Sequence, residues 1–209
     1  MYRISINDKE YSVPTAFSDI TLGQYVKCFN GLIDTEKLDG IELFTAVRKN
    51  EATIISRLLG EDDDFCLNMP VVIYSELSNS CKFIYSLKTL GHSNEIVIDD
   101  VSYSVPQPDE FSLRQWIDVD VTMQEEGNES RYLDLLAILL MKRGDDGKFI
   151  PYGGIDKALR KRIEDLPADK GLGIVYHFFL RGEISRRITS ISSKMGEVLN
   201  QFRQNIHNS

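Results

Sequence analysis

The chain has 209 residues, 42% hydrophobic and 27% charged, with 24 Lys/Arg against 32 Asp/Glu and a net charge of −8. That balance belongs to a globular protein with room for one or two domains, and its acidity argues against general nucleic-acid binding, which depends on neutralising phosphates. Three cysteines, Cys28, Cys66 and Cys81, form no CxxC pair and leave an odd one, which fits a reducing compartment where thiols serve as small hydrophobes.

In chain order, Ile4 and Ile6, then Tyr11 and Val13, alternate around Asn7-Asp8. Period-two apolar residues on both sides of a turn pair predict a β-hairpin. Pro14, with no N–H to give a ladder, ends its second strand. Thr21-x-x-Gln24 has capping-box form and predicts a helix from Thr21 to Leu32, with Tyr25 placed to pack back on the hairpin. A second helical stretch carries Leu38, Ile41, Leu43, Phe44 and Val47. A third carries Ile54, Ile55, Leu58 and Leu59 and stops at Gly60. Glu61-Asp62-Asp63-Asp64 reads as a solvated acidic turn; it lacks the alternation and central glycine of a calcium loop. Pro70 opens a last helix through Val72, Ile73, Leu77, Cys81, Ile84 and Leu87, and Leu90 to Asn94 reads as a linker.

The pattern then returns. Tyr11-Ser12-Val13-Pro14 recurs letter for letter as Tyr103-Ser104-Val105-Pro106, behind Ile96, Ile98 and the turn pair Asp99-Asp100. Ser112-x-x-Gln115 repeats the capping box, and Trp116 stands where Tyr25 stood. A repeat of about ninety residues is the size of a small domain. A helix from Ser112 to about Gln124 comes next. Tyr132 to Met141 is apolar except for Asp134 and predicts a buried central helix, ended by Gly144. Asp145-Asp146-Gly147 is a turn, 148–154 an extended excursion and 155–163 a short helix. Pro167 opens a helix through Ile174, Phe178 and Phe179.

The tail differs. In it Ile184, Ile188, Ile191, Met195, Val198 and Phe202 step by 4, 3, 4, 3 and 4. This short heptad seam predicts an amphipathic helix that packs against another chain or against the chain's own body. These six residues are the candidate partner-binding set. Residues 181–209 carry five Lys/Arg against two Glu, while the preceding 180 carry nineteen against thirty, so an acidic receiving face suits the tail.

Catalytic chemistry finds no foothold in the sequence. No serine, histidine and acid set has a motif around it. His177, between Tyr176 and Phe178, reads as packing, and no histidine has a metal-ligand partner at helical spacing. Gly171-x-Gly173 and Gly153-Gly154 lack the spacing of a phosphate loop. Lys157, Arg160, Lys161 and Arg162 form the dense basic cluster. With Glu164-Asp165 following, it reads first as a solvated helix face with local ion pairs, second as a contact to nucleic acid or an acidic partner. The longest apolar run, Leu135 to Met141, is too short to cross a bilayer, and the N-terminus reads as a strand rather than a leader. No catalytic, cofactor-binding or metal-ligating residue is assigned, and no cofactor is expected.

Residues 3–87, through ISINDKEYSVP, ITLGQY, ISRLLG and NMPVVIYSEL, resemble tail-assembly-chaperone-like and other small virion-assembly proteins of bacteriophages. The second half is similar through FSLRQW, LDLLAILL, FIPY and LPADKGLGIVYHFFL. The family carries glycine in the hairpin turn where this chain has Asn7-Asp8 and Asp99-Asp100, so the turn type stays open. The resemblance implies a non-enzymatic protein of virion assembly, tail or head-tail. Its partners are other phage structural or assembly proteins or further copies of itself, and its place is the virion or the host cytoplasm.

The expected fold is α+β and predominantly helical. Residues 1–90 and 95–181 form tandem repeats of a β-hairpin plus a helical bundle, and 182–209 a C-terminal helix. The alternative function is an intracellular nucleic-acid-binding regulator using the 157–162 helix and the basic tail. An enzyme is a third class, for which no acid, base or nucleophile can be named.

Overall fold

Each half of the chain begins with an antiparallel hairpin closed by two residues. In the computed structural model, which describes residues 1–87, 90–91, 93–125 and 129–180, β1 (Tyr2–Ile6) pairs with β2 (Lys9–Val13), and β3 (Glu95–Ile98) with β4 (Val101–Ser104). Ile4 faces Tyr11 and Ile96 faces Tyr103, so the two registers correspond. All four turn residues have positive φ: 51° and 64° at Asn7-Asp8, 48° and 61° at Asp99-Asp100. Two consecutive left-handed residues make a type I′ turn, whose twist matches the flanking strands. Short Asn and Asp side chains tolerate that region, so glycine is not required.

Among the described residues, seven α-helices accompany the hairpins, and the class is α+β. α1 (Leu22–Phe29) starts with the full capping box: the Gln24 amide donates to Thr21 Oγ1 at 3.1 Å, and the Thr21 amide donates to Gln24 Oε1 at 2.8 Å. It is shorter than expected, stopping at Asn30. The two helical stretches expected between Leu38 and Leu59 are one helix, α2 (Gly40–Leu58). The residues joining them, Arg48 to Thr53, include neither proline nor glycine, so nothing interrupts the ladder. Gly60, at φ 75°, supplies the left-handed residue that ends it. α3 (Val71–Ser80) follows Pro70 and tightens into a 3₁₀ turn at Cys81–Tyr85 instead of running on to Leu87.

In the second half lie α4 (Leu113–Met123), α5 (Arg131–Leu139), α6 (Lys157–Ile163) and α7 (Ala168–Leu180). α5 has six buried residues and is the centre of the main core, as its composition predicts. It ends at Leu139, well before Gly144, because the next residues join the sheet edge: the Ser104 amide donates to the Met141 carbonyl at 2.9 Å, and the Met141 amide donates to the Ser104 carbonyl at 3.0 Å. Pairing with β4 replaces further helix.

Burial divides the molecule unexpectedly. The smaller apolar cluster holds Ile6, Tyr11 and Val13 of the first hairpin with Ala52 and Ile55 of α2 and Leu77 beyond them. The larger cluster joins α1 to the second half: Leu22, Tyr25 and Val26 lie with Ile98 and Tyr103 of the second hairpin, α5 and α7. Tyr25 accordingly packs on Phe17, Phe29 and Tyr132 in a different cluster from its own hairpin, whereas Trp116 packs on Phe111 and Phe178 in the cluster that also holds the second hairpin. The two hairpin-cap-helix units match locally, but their helices are used differently.

Both ends of α1 are completed by distant segments. The Leu22 amide donates to the Leu166 carbonyl (2.8 Å), the Gly23 amide to Glu164 (2.9 Å), and the Ala168 amide returns a bond to Ile20 (2.9 Å). With Gln24 on Thr21, the orphan amides of the first turn are accounted for. At the other end Arg57 Nη1 reaches the carbonyls of Lys27, Cys28 and Asn30, while Asp63 holds the guanidinium through two bonds of 2.7 Å. The acidic run after α2 is thus an anchor. Glu61 likewise takes bonds from Lys9 and from the Tyr11 hydroxyl.

The second capping box is only half formed. The Gln115 amide donates to Ser112 Oγ at 3.1 Å, but its side chain does not turn back. It is fully buried and donates to the Ile138 carbonyl at 2.8 Å, one of the orphan carbonyls at the end of α5.

Two predictions follow the packing. A Cβ on Gly173 meets the Gly91 carbonyl oxygen at 2.5 Å, whereas one on Gly171 meets the movable Leu22 Cδ2 at 2.7 Å. Backbone cannot yield as a side-chain end can, so Gly173→Ala is expected to lose about 2 kcal/mol or more and Gly171→Ala distinctly less. Thermal melts of the two variants test this, and equal losses contradict it. In urea titrations, Gln115→Leu, which strands a buried carbonyl, is expected to cost about 1–3 kcal/mol. Gln24→Ala, on an exposed cap, should cost below about 1 kcal/mol; the reverse order counts against this account.

Candidate protein interface

Residues 181–209 lie outside the described residues, and with them the six candidate partner-binding positions Ile184, Ile188, Ile191, Met195, Val198 and Phe202. An exposed apolar surface that the sequence did not single out lies on α2 and α3. Along the first half of α2, Ile41, Phe44 and Val47 are 76, 58 and 48% exposed. Leu67 and Val71, at the entry to α3, are 48 and 72% exposed. Arg48 links the two groups. Its guanidinium lies 5.5 Å from the centre of the Phe44 ring, and it lines a cavity of about 420 Å³ together with Leu67, Val71 and Tyr74.

A carboxylate ties together residues of α2 and α3 beside this groove. Glu51 accepts from Arg48 Nη1 at 2.8 Å, the Tyr74 hydroxyl at 2.9 Å and the Ser78 hydroxyl at 2.6 Å. Burial pushes its pKa up, but the bonds from Ser78, Tyr74 and Arg48 outweigh that and leave it below its ordinary 4.5. Burial and the bond to Glu51 raise the Tyr74 phenol. The network fixes α3 against α2 and so sets the spacing of the apolar rim. Isolated exposed hydrophobes are ordinary, but a contiguous group beside a groove marks an interaction surface.

A second exposed stripe runs along α4. Leu113, Ile117 and Val121 stand on the side away from the buried Gln115, Val119 and Thr122. The signal was present in the sequence, since Leu113, Trp116, Ile117, Val119, Val121 and Met123 are too many apolar residues for one face.

Among the other candidates, Arg160, Arg162 and His177 have partners within the chain. Arg160 pairs with Asp134 at 2.5 Å and with Glu164 at 3.2 Å, and Arg162 lies 3.5 Å from Asp99; Lys157 and Lys161 are exposed. His177 Nε2 sits 3.1 Å from the Leu90 carbonyl. Gly171 and Gly173 serve close approach of α7 to Leu22 and Gly91. Burial pushes the thiols of Cys28 and Cys81 up to about 12 and raises Cys66, so all three are protonated packing groups at neutral pH. Among the described residues, no group of three His, Cys, Asp or Glu is placed to hold a metal ion, and no helix is long and apolar enough to cross a membrane.

No protein-family model, curated protein or solved structure matches the chain.

Glu51 gives the groove a pH dependence. A carboxylate whose folded pKa lies below its unfolded value stabilises the fold above about pH 4.5, and the contribution is lost as pH falls through the folded pKa. Glu51→Gln is therefore expected to be less stable than wild type by about 1–2 kcal/mol near neutral pH, with the gap closing in acid. Denaturant titrations across that range check it; a gap independent of pH contradicts the assignment.

Proposed function

We propose that the protein is a non-enzymatic component of bacteriophage virion assembly, at the tail or head-tail stage, which acts through protein–protein contacts. The observation that carries this reading is the open apolar face across α2 and α3, with Phe44 and Val71 exposed on it and the Glu51 network joining the two helices. A face of that kind is suited to another protein, and the resemblance of residues 3–87 to small virion-assembly proteins names the class of partner. Other phage structural or assembly proteins, or further copies of the chain, are the partners proposed, in the virion or the host cytoplasm. The tail seam from Ile184 to Phe202 is proposed as a second apolar surface that packs on protein, another chain or the chain's own body, rather than on nucleic acid. The pairing of Arg160 with Asp134 and Glu164 leaves the 157–162 helix poorly suited to reading phosphates.

A tandem origin belongs to the same proposal, with repeats over 1–90 and 95–181. It is supported by the matching hairpin registers, the four left-handed turn residues and the two hydroxyl caps at Thr21 and Ser112.

Phe44→Asp/Val71→Asp tests the function. Both side chains are largely exposed, so melting is expected to stay within about 0.5 kcal/mol of wild type. Copurification of a tagged chain with capsid, portal or tail proteins from infected cells is expected to fall about tenfold or more. Mass spectrometry of particles and assembly intermediates provides the readout. A chain absent from all of them, or one that instead binds random DNA with steep salt dependence, overturns the reading.

A further inference from the structure

Leu113, Ile117 and Val121 are 72, 52 and 57% exposed and recur at every fourth residue of α4. At 1.5 Å per residue they make a stripe about 12 Å long, which water covers poorly. The last described helix points to what covers it. Near the end of α7, Phe178 stacks edge-on against Phe111 at 5.7 Å and lies 6.4 Å from Trp116. The chain therefore passes residue 180 beside the N-terminal end of α4. Only Arg181, Gly182 and Glu183 then precede Ile184, and two to five residues, glycine among them, suffice to join antiparallel helices.

We propose that the tail of the same chain covers α4, with Ile184, Ile188 and Ile191 laid along Leu113, Ile117 and Val121. Seven residues at helical rise span about 10 Å, close to the length of the stripe. Charge agrees with the placement. Arg186 and Arg187 flank the seam, and α4 carries Asp118 and Asp120 against the single Arg114. A second copy could present the same seam, but its own tail starts beside the stripe and has no second-order concentration cost.

Ile117→Cys/Ile188→Cys in the full chain tests the contact, since the native thiols at 28, 66 and 81 are buried. Mild oxidation is expected to give a bridge within the monomer, seen as faster migration without reductant and as a linked 117–188 peptide. A second measurement uses Ile117→Cys alone: adding Ile188→Asp/Ile191→Asp is expected to raise alkylation at position 117 about tenfold, while circular dichroism holds the body folded. The proposal stands if the bridge is intramolecular and the rate rises. A bridge formed only between chains, which makes a second copy the occupant, no bridge at all, or an alkylation rate unmoved by the aspartates overturns it.

Discussion

The first two amides of α1 have no acceptors within their own helix, and they find them in the carbonyls of Leu166 and Glu164, while Ala168 returns a bond to Ile20. Those three bonds fix one end of α7 to one end of α1. They hold only because α7 comes very close, and the closeness rests on Gly171 against Leu22 and Gly173 against Gly91. Once α1 is placed there, Tyr25 meets Tyr132, α5 is covered, and the apolar surfaces of the two halves become one core. Arg57 then closes the other end of α1 from α2, carrying the smaller cluster with it. A short helix of eight residues thus couples nearly every other element.

Local structure was legible wherever one short pattern decides the outcome. Alternation around Asn7-Asp8 and Asp99-Asp100 gives both hairpins, Thr21-x-x-Gln24 gives a complete cap, and the apolar run at Leu135 gives the central helix. Partner choice was not legible, because the same residue type satisfies different needs. Gln24 and Gln115 occupy equivalent positions in the sequence. One is exposed and completes its own cap, whereas the other is buried and serves the end of α5. Likewise the end of α5 depends on Ser104, a residue far away in sequence, and not on the helix's own glycine.

The surface was harder to read than the core for a related reason. Phe44 and Val47 show ordinary helical spacing, and only the position of α3 decides whether they are covered. On α4, apolar residues on both sides of the helix are the one sequence feature that distinguishes a helix with two contacts from a helix with one. Buried polar groups add a second layer. Glu51, Ser56 and Gln115 each fix an angle between elements that apolar contacts alone leave adjustable.

The division of the core has a consequence for the order in which the chain takes shape during synthesis. The buried residues of the smaller cluster all fall within 6–81, so the first hairpin, α2 and α3 can pack together once that length has emerged, while Ile54 of α2 belongs to the larger cluster. α1 lies inside the same stretch and meets α2 there, yet the acceptors of its first turn are at 164 and 166 and much of its cover comes from α5 and α7. Loop closure over that separation comes late and carries its own entropic cost. For most of translation, then, α1 can rest on α2 but lacks the cover that α5 and α7 give it. Leu22, Tyr25 and Val26 are therefore covered in full only after α7 has left the ribosome.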